Sequence, residues 1–143
     1  PPAKPAKSET VSPAIKKPLG SVSLDHGVRV GVAPWFIDEH SDPAERRYVF
    51  GYRITITNEG DRRAKLLSRR WTIVDATGQR EEVGGDGVVG QQPELEPGQS
   101  FEYASFCPLP TPWGTMEGVY TMKRDDDTRF EVNIGRFYLV APT

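Results

Sequence analysis

From Tyr48 to Thr57 every second residue is a large apolar one. Tyr48, Phe50, Tyr52, Ile54 and Ile56 alternate with Val49, Gly51, Arg53, Thr55 and Thr57. Successive side chains of an extended chain point to opposite faces, so this alternation predicts a strand with one buried face and does not fit the period of a helix. The same period appears at Val28, Val30 and Val32, and again at Leu67, Trp71 and Ile73. Asn58-Glu59-Gly60-Asp61 and Asp75-Ala76-Thr77-Gly78 separate the runs. In both, Asn or Asp can cap a turn and Gly can take a positive φ, so each reads as a reversal of direction. Further strands are predicted around Phe101 and Tyr103, from Met116 to Met122, at Phe130 to Ile134 and from Phe137 to Val140.

About seven short antiparallel strands with turn signals between them predict an all-β, immunoglobulin-like or fibronectin type III-like sandwich. The 13 prolines and 14 glycines fit many short strands better than a helical bundle. Two stretches break the pattern: Gly84 to Gly98, and Cys107 to Gly114, where Pro108, Pro110 and Pro112 remove ladder donors. Proline confines the second stretch to a sheet edge or a crossing between sheets. Loops of this size on a rigid scaffold are where function concentrates.

At 143 residues, the length favours one domain. Residues 1–20 combine Pro, Ala and Lys with almost no large apolar side chains and read as a disordered tail, leaving 21–143 as the folded domain. The chain begins at Pro1, which reads as a trimmed or partial product. Cys107 is the only cysteine, so neither a disulfide nor a thiolate metal cluster is available within the chain, and a reducing cytoplasmic setting is expected. No apolar run is long enough for a membrane span or a secretory signal. The net charge of -2 gives no global pull toward nucleic acid or anionic lipid.

Four stretches, RYVFGYRITITNEGD, LLSRRWTIVDATGQREEV, GDGVVGQQPELEPGQSFEYASFCPLPTPWGTMEGVY and FYLVAP, occur in an order that resembles the ApaG family over residues 27–142. The resemblance implies a fibronectin type III-like sandwich, found as a stand-alone bacterial protein and as a domain of eukaryotic F-box proteins and of the polymerase-delta-interacting protein. Those are settings of protein recognition. It also implies an association with cobalt and magnesium tolerance and proximity to a diadenosine tetraphosphate hydrolase gene. No enzymatic activity is established for the family.

Gly85-Asp86-Gly87-Val88-Val89-Gly90 fits G-x-G-x-x-G, whose bare amides can approach a pyrophosphate when a helix follows. No helix is predicted after Gly90, so the alternative is that these glycines serve bulges and close backbone crossings. Family members share the motif, which implies nucleotide or pyrophosphate binding. Arg69 and Arg70 would supply guanidinium forks to a phosphate, but neighbours on a strand face opposite ways, so only one can serve a given loop. The family pattern often has His or Tyr in place of Arg70 and Glu in place of Gln91.

Asp38, Glu39, His40 and Asp42, and Asp125 to Asp127, carry metal-ligand chemistry without diagnostic spacing and read as solvated turns. Cys107 sits between Phe106 and Pro108, with only His26 and His40 in the chain to act as bases, and reads as a buried thiol. No metal site and no cofactor are expected. Trp71 is expected in the core, while Trp35 and Trp113 flank loops, where Trp113 beside Met116 would suit a partner or a second copy of the chain. The expectation is therefore a non-enzymatic protein-binding or self-associating module, with nucleotide or pyrophosphate binding through the glycine loop as the alternative.

Overall fold

The computed structural model describes residues 19–143, so the expected tail at residues 1–20 lies almost wholly outside the described residues. The described residues form nine strands: β1 (Ser21–Asp25), β2 (Val28–Phe36), β3 (Tyr48–Asn58), β4 (Ala64–Asp75), β5 (Arg80–Asp86), β6 (Glu94–Leu95), β7 (Ser100–Leu109), β8 (Trp113–Lys123) and β9 (Arg129–Val140). Single 3₁₀ turns at Asp38–His40 and Pro43–Glu45 bridge β2 and β3. One sheet runs β1-β2-β3-β7 and the other β5-β4-β8-β9, with β6 paired to β4 and all pairings antiparallel. This is the expected two-sheet sandwich.

Phe50, Tyr52, Ile54 and Ile56 of β3 are buried as their alternation requires, against Trp71, Tyr120, Phe137 and Leu139 of the other sheet. Tyr52, Trp71 and Phe137 meet edge-on or tilted, with ring centroids 5.5 to 5.8 Å apart, the arrangement their quadrupoles favour. Tyr103 and Tyr120 join their hydroxyls across the core at 2.6 Å, so neither phenol is buried without a partner.

Three details depart from the sequence reading. Leu66, not Leu67, is the buried residue of β4, because the pairing with β8 shifts register between Leu66 and Ser68 and a bulge inverts the alternation there. The segments Phe130 to Ile134 and Phe137 to Val140 are one strand, β9, with a register shift against β8 between Met116 and Gly118. The edge strands differ from the pattern in two ways: in β1, Val22 and Leu24 alternate with serines but face outward and are exposed, and β5 carries no period-two apolar signal.

The expected turns form. At the β3–β4 reversal the fully buried Asn58 donates to Arg62 O and Leu95 O at 2.8 and 2.9 Å, while its Oδ1 accepts from Gly60 N. At the β4–β5 hairpin Asp75 accepts from Thr77 Oγ1, Thr77 N and Gln79 N, which hold its carboxyl below the usual range.

The two flanks of the sandwich differ. On one, β1 is stitched to β9: Ser21 and Ser23 donate to the carbonyls of Gly135 and Asn133, and Asn133 N donates to Asp25. On the other, the edge strands β5 and β7 stand apart over a cleft of about 330 Å³. No helix among the described residues is long and apolar enough to cross a membrane.

Candidate functional site

The glycine motif straddles the end of β5 and a tight turn, and no helix follows it. Val88 N donates to Gln91 O and Gln91 N to Val88 O, both at 2.8 Å, closing a reversal in which Val89 and Gly90 take φ of 42° and 81°. Two positive φ values inside such a turn suit glycine and strain valine. Gly87 N donates to Leu67 O. The amides of Gly87, Val88 and Gln91 are thus bonded within the protein instead of being turned outward toward an anion. Gly87 also leaves room for its neighbour, since a β-carbon there would stand 2.3 Å from Gln91 O.

Gly85 serves a different residue. Arg69 pairs with it across β4 and β5 on the inner face, and a β-carbon on Gly85 would lie 3.1 and 3.2 Å from Arg69 Nη1 and Nη2. Arg69 Nη1 donates to Asp86 O at 3.1 Å and to Gly87 O at 2.8 Å. The motif and Arg69 therefore form one unit, in which the loop grips the guanidinium. Arg70 is turned to the opposite face of the sheet, opposite Gly84, and is exposed. The structure brings Gly85, Gly87 and Arg69 together, and keeps Arg70 away from them.

Arg69 opens into the cleft between β5 and β7, which Tyr52, Trp71, Ser105 and Cys107 also line. Burial raises the Tyr52 phenol, an effect that the hydrogen bond with Ser105 and the charge of Arg69 oppose. Burial pushes the Cys107 thiol up to about 11, with a smaller contribution from Glu81, so it stays protonated near neutral pH. Its hydrogen bond goes to Pro108 O at 3.7 Å, which is no activation for a nucleophile.

A second surface lies on the outer face of the other sheet. Trp35, Gly51 and Phe106 occupy one row across β2, β3 and β7. Because a β-carbon on Gly51 would stand 2.4 Å from Trp35 Cζ2, the glycine lets the indole lie flat over the strand. Trp35 is 44% exposed and Phe106 62% exposed, and together with Ile37, Val49 and Ala104 they line an apolar groove of about 430 Å³. Arg47 borders this groove, and Arg46 stands beside it next to Pro108 and Pro110. Neither arginine joins an ion pair among the described residues.

The groove runs along the β7 edge, with which no other strand among the described residues pairs. Asn58 N donates to Gln99 O at 3.0 Å, and bonded pairs alternate along an antiparallel ladder. The register of β3 with β7 therefore turns the backbone groups of Glu102, Ala104 and Phe106 toward solvent. Pro108 falls in the same set, where a missing N–H costs no ladder bond. Placing the proline-rich stretch at a sheet edge agrees with the sequence.

Trp113 is 48% exposed, but Met116 is 1% exposed and packs in the core, so the two do not share a surface patch. Met116 sits one turn of the alternation inside the sheet, opposite Ile73 and Phe137. The acidic runs make ordinary surface contacts: Arg62 bridges Asp125 and Asp126, and Lys123 pairs with Asp127. Among the described residues no group of three or more His, Cys, Asp or Glu is placed to hold a metal ion. Sequence reasoning missed Trp35, Gly51 and Phe106 as a set. The available signal was parity, since Phe106 falls off the alternation of Tyr103 and Cys107 and must point outward.

Residues 38–124 match the family model described as the ApaG domain. A relative named Protein ApaG from Anaeromyxobacter dehalogenans is 52% identical over 122 residues, covering 85% of this chain and 96% of its own length. Another of that name from Methylobacterium is 53% identical over 116 residues, covering 81% and 89%. A solved structure of an ApaA protein from Bordetella pertussis superposes with a TM-score of 0.79 at 49% identity, covering 80% of this chain and 94% of that one. With the sandwich, the glycine loop and these matches in agreement, the chain belongs to the ApaG family.

Proposed function

We propose that this domain is a non-catalytic module that binds an extended segment of another protein along the free edge of β7. The observation that carries this reading is the coincidence of an unpaired strand edge with an exposed aromatic row. Phe106 presents its backbone to solvent at the edge and its ring to the groove that Trp35 borders. A strand added to an edge gains affinity from main-chain hydrogen bonds, and pockets for alternate side chains give it selectivity. Exposed aromatic residues of this size are the usual anchors of such contacts.

Arg46 and Arg47 at one end of the groove favour a segment with apolar residues at alternate positions followed by Asp or Glu. Pyrophosphate on the glycine loop has less support, because three of the loop amides are already bonded within the protein.

Selection from a random-peptide library displayed on phage tests the reading. The wild-type domain should enrich peptides of that alternating acidic and apolar pattern, and Phe106→Glu should not. Absence of enrichment, or equal enrichment by the variant, would contradict it. Pairing of the domain with itself would show as concentration-dependent mass in sedimentation, and would make a second copy the occupant.

A further inference from the structure

The cleft on the open flank is chemically distinct from the outer groove. Arg69 lies on the inner face of β4, between Gly85 of β5 and the buried Tyr120 of β8. Both of its hydrogen bonds among the described residues leave from Nη1, to the carbonyls of Asp86 and Gly87. No carboxylate among the described residues lies within ion-pair distance of it. The guanidinium is thus held in place by neutral acceptors, and its charge is left without a counter-ion in a half-buried setting. A charge kept out of bulk water without a partner is costly, and a ligand that supplies the opposite charge recovers that cost.

The rest of the cleft is mostly apolar, with Trp71, Val83, Phe106 and Met116 around it, and Tyr52 and Ser105 add hydroxyls on the side of β3 and β7. Its volume of about 330 Å³ is at the small end of ligand sites. Glu81 lines the same cleft at the level of Ile73, away from the Gly85 end. Glu81 therefore confines an anionic group to the Arg69 end of the cleft and leaves the remainder to an uncharged body.

We propose that the cleft between β5 and β7 binds a small apolar monocarboxylate, whose carboxylate pairs with Arg69 and whose body packs against Trp71, Val83 and Met116. A free organic acid and the carboxyl-terminal residue of a polypeptide share this chemistry. The glycine motif then has a role in recognition without touching an anion: Gly85 and Gly87 hold Arg69 in the pose that receives the ligand. Ser105 and Phe106 border both this cleft and the outer groove, but Arg69 belongs to the cleft alone, so failure of the Arg69 variants to alter binding would leave the groove reading intact.

Chemical-shift titration of the isotope-labelled protein tests the proposal with two matched pairs: 3-phenylpropionate against 3-phenylpropionamide, and acetyl-Gly-Phe as the acid against its amide. At least one acid should shift the amides of Val83, Ser105 and Cys107. It should bind about tenfold more tightly than its amide, as a charge-assisted guanidinium pair implies. Which of the two acids binds identifies the source of the ligand. Arg69→Met should abolish the preference and Arg70→Met, on the opposite face, should retain it. If Arg69→Met does not fold, Arg69→Lys, which keeps the charge and loses the planar fork, should reduce the preference. Equal binding of acid and amide, no shift within the cleft, an undiminished preference in the Arg69 variants, or tighter binding of inorganic pyrophosphate at the same residues would overturn it.

Discussion

The guanidinium of Arg69 packs flat against Gly85, with Nη1 3.1 Å from where a β-carbon on that residue would stand. A family glycine motif that resembles a phosphate cradle is, in this fold, first a seat for an arginine. Adding a methyl at Gly85 should press on the guanidinium and lengthen its bonds to Asp86 O and Gly87 O. A displacement of a few tenths of an ångström weakens these bonds without abolishing them, which puts the cost at about 0.5 to 1.5 kcal/mol. A double-mutant cycle in urea checks this: Gly85→Ala should be costly with Arg69 present and close to neutral in the Arg69→Met background, where nothing contests the space.

The outer groove depends on Gly51 in the same way. Gly51→Ala places a methyl 2.4 Å from Trp35 Cζ2, so the indole must lift off β3. A red shift and stronger quenching of tryptophan fluorescence are expected, with loss of the peptides that the wild-type domain selects. The strand itself should persist, because Phe50 and Tyr52 on its inner face are untouched. Far-ultraviolet dichroism separates this outcome from unfolding.

Asn58 binds the β3–β4 turn and β6 together through Arg62 O, Leu95 O and Gly60 N. Asn58→Ala leaves buried backbone groups without partners, which costs about 2 to 4 kcal/mol. Thermal unfolding should show a Tm lower by about 5 to 15 °C. A change under about 1 kcal/mol would mean that water replaces the amide.

The pH response of Cys107 follows from its burial. Its folded thiol is pushed up to about 11, above the ordinary value of 9.0, so the folded state holds the proton more tightly. Its stabilising contribution is complete below pH 9 and is lost as pH rises from about 9 toward 11. Cys107→Ala should flatten that part of the stability profile. At pH 8 about one folded thiol in a thousand is ionised, so alkylation of the native protein should be far slower than of the urea-unfolded chain.

The sandwich was legible because its central strands bury one face. Tyr48 to Ile56 announce β3, and Trp71 and Ile73 announce β4. Legibility failed where burial does not set the pattern. Edge strand β5 has no buried face, so Arg80-Glu81-Glu82 carries no alternation of its own after the Asp75–Gly78 turn, and the bulge after Leu66 exchanges Leu66 for Leu67 in the core. The paired roles of Arg69 and Gly85 are a register relationship between residues sixteen apart, which no local spacing reveals. Gly90 could be read in place, because its turn is local, whereas the exposed row of Trp35, Gly51 and Phe106 joins three strands. Met116 was misplaced because the loop before it suggested exposure, while its position in β8 points it into the core.

Hydrogen exchange in β7 measures the central claim most directly. With a library-selected peptide bound, the outward amides of Glu102, Ala104 and Phe106 should exchange at least tenfold more slowly than in the free domain, with chemical-shift changes that continue onto Trp35 and Gly51. The amides already bonded to β3, such as those of Tyr103 and Ser105, should change less. Protection confined to residues 84–91, or none along β7, would contradict the account.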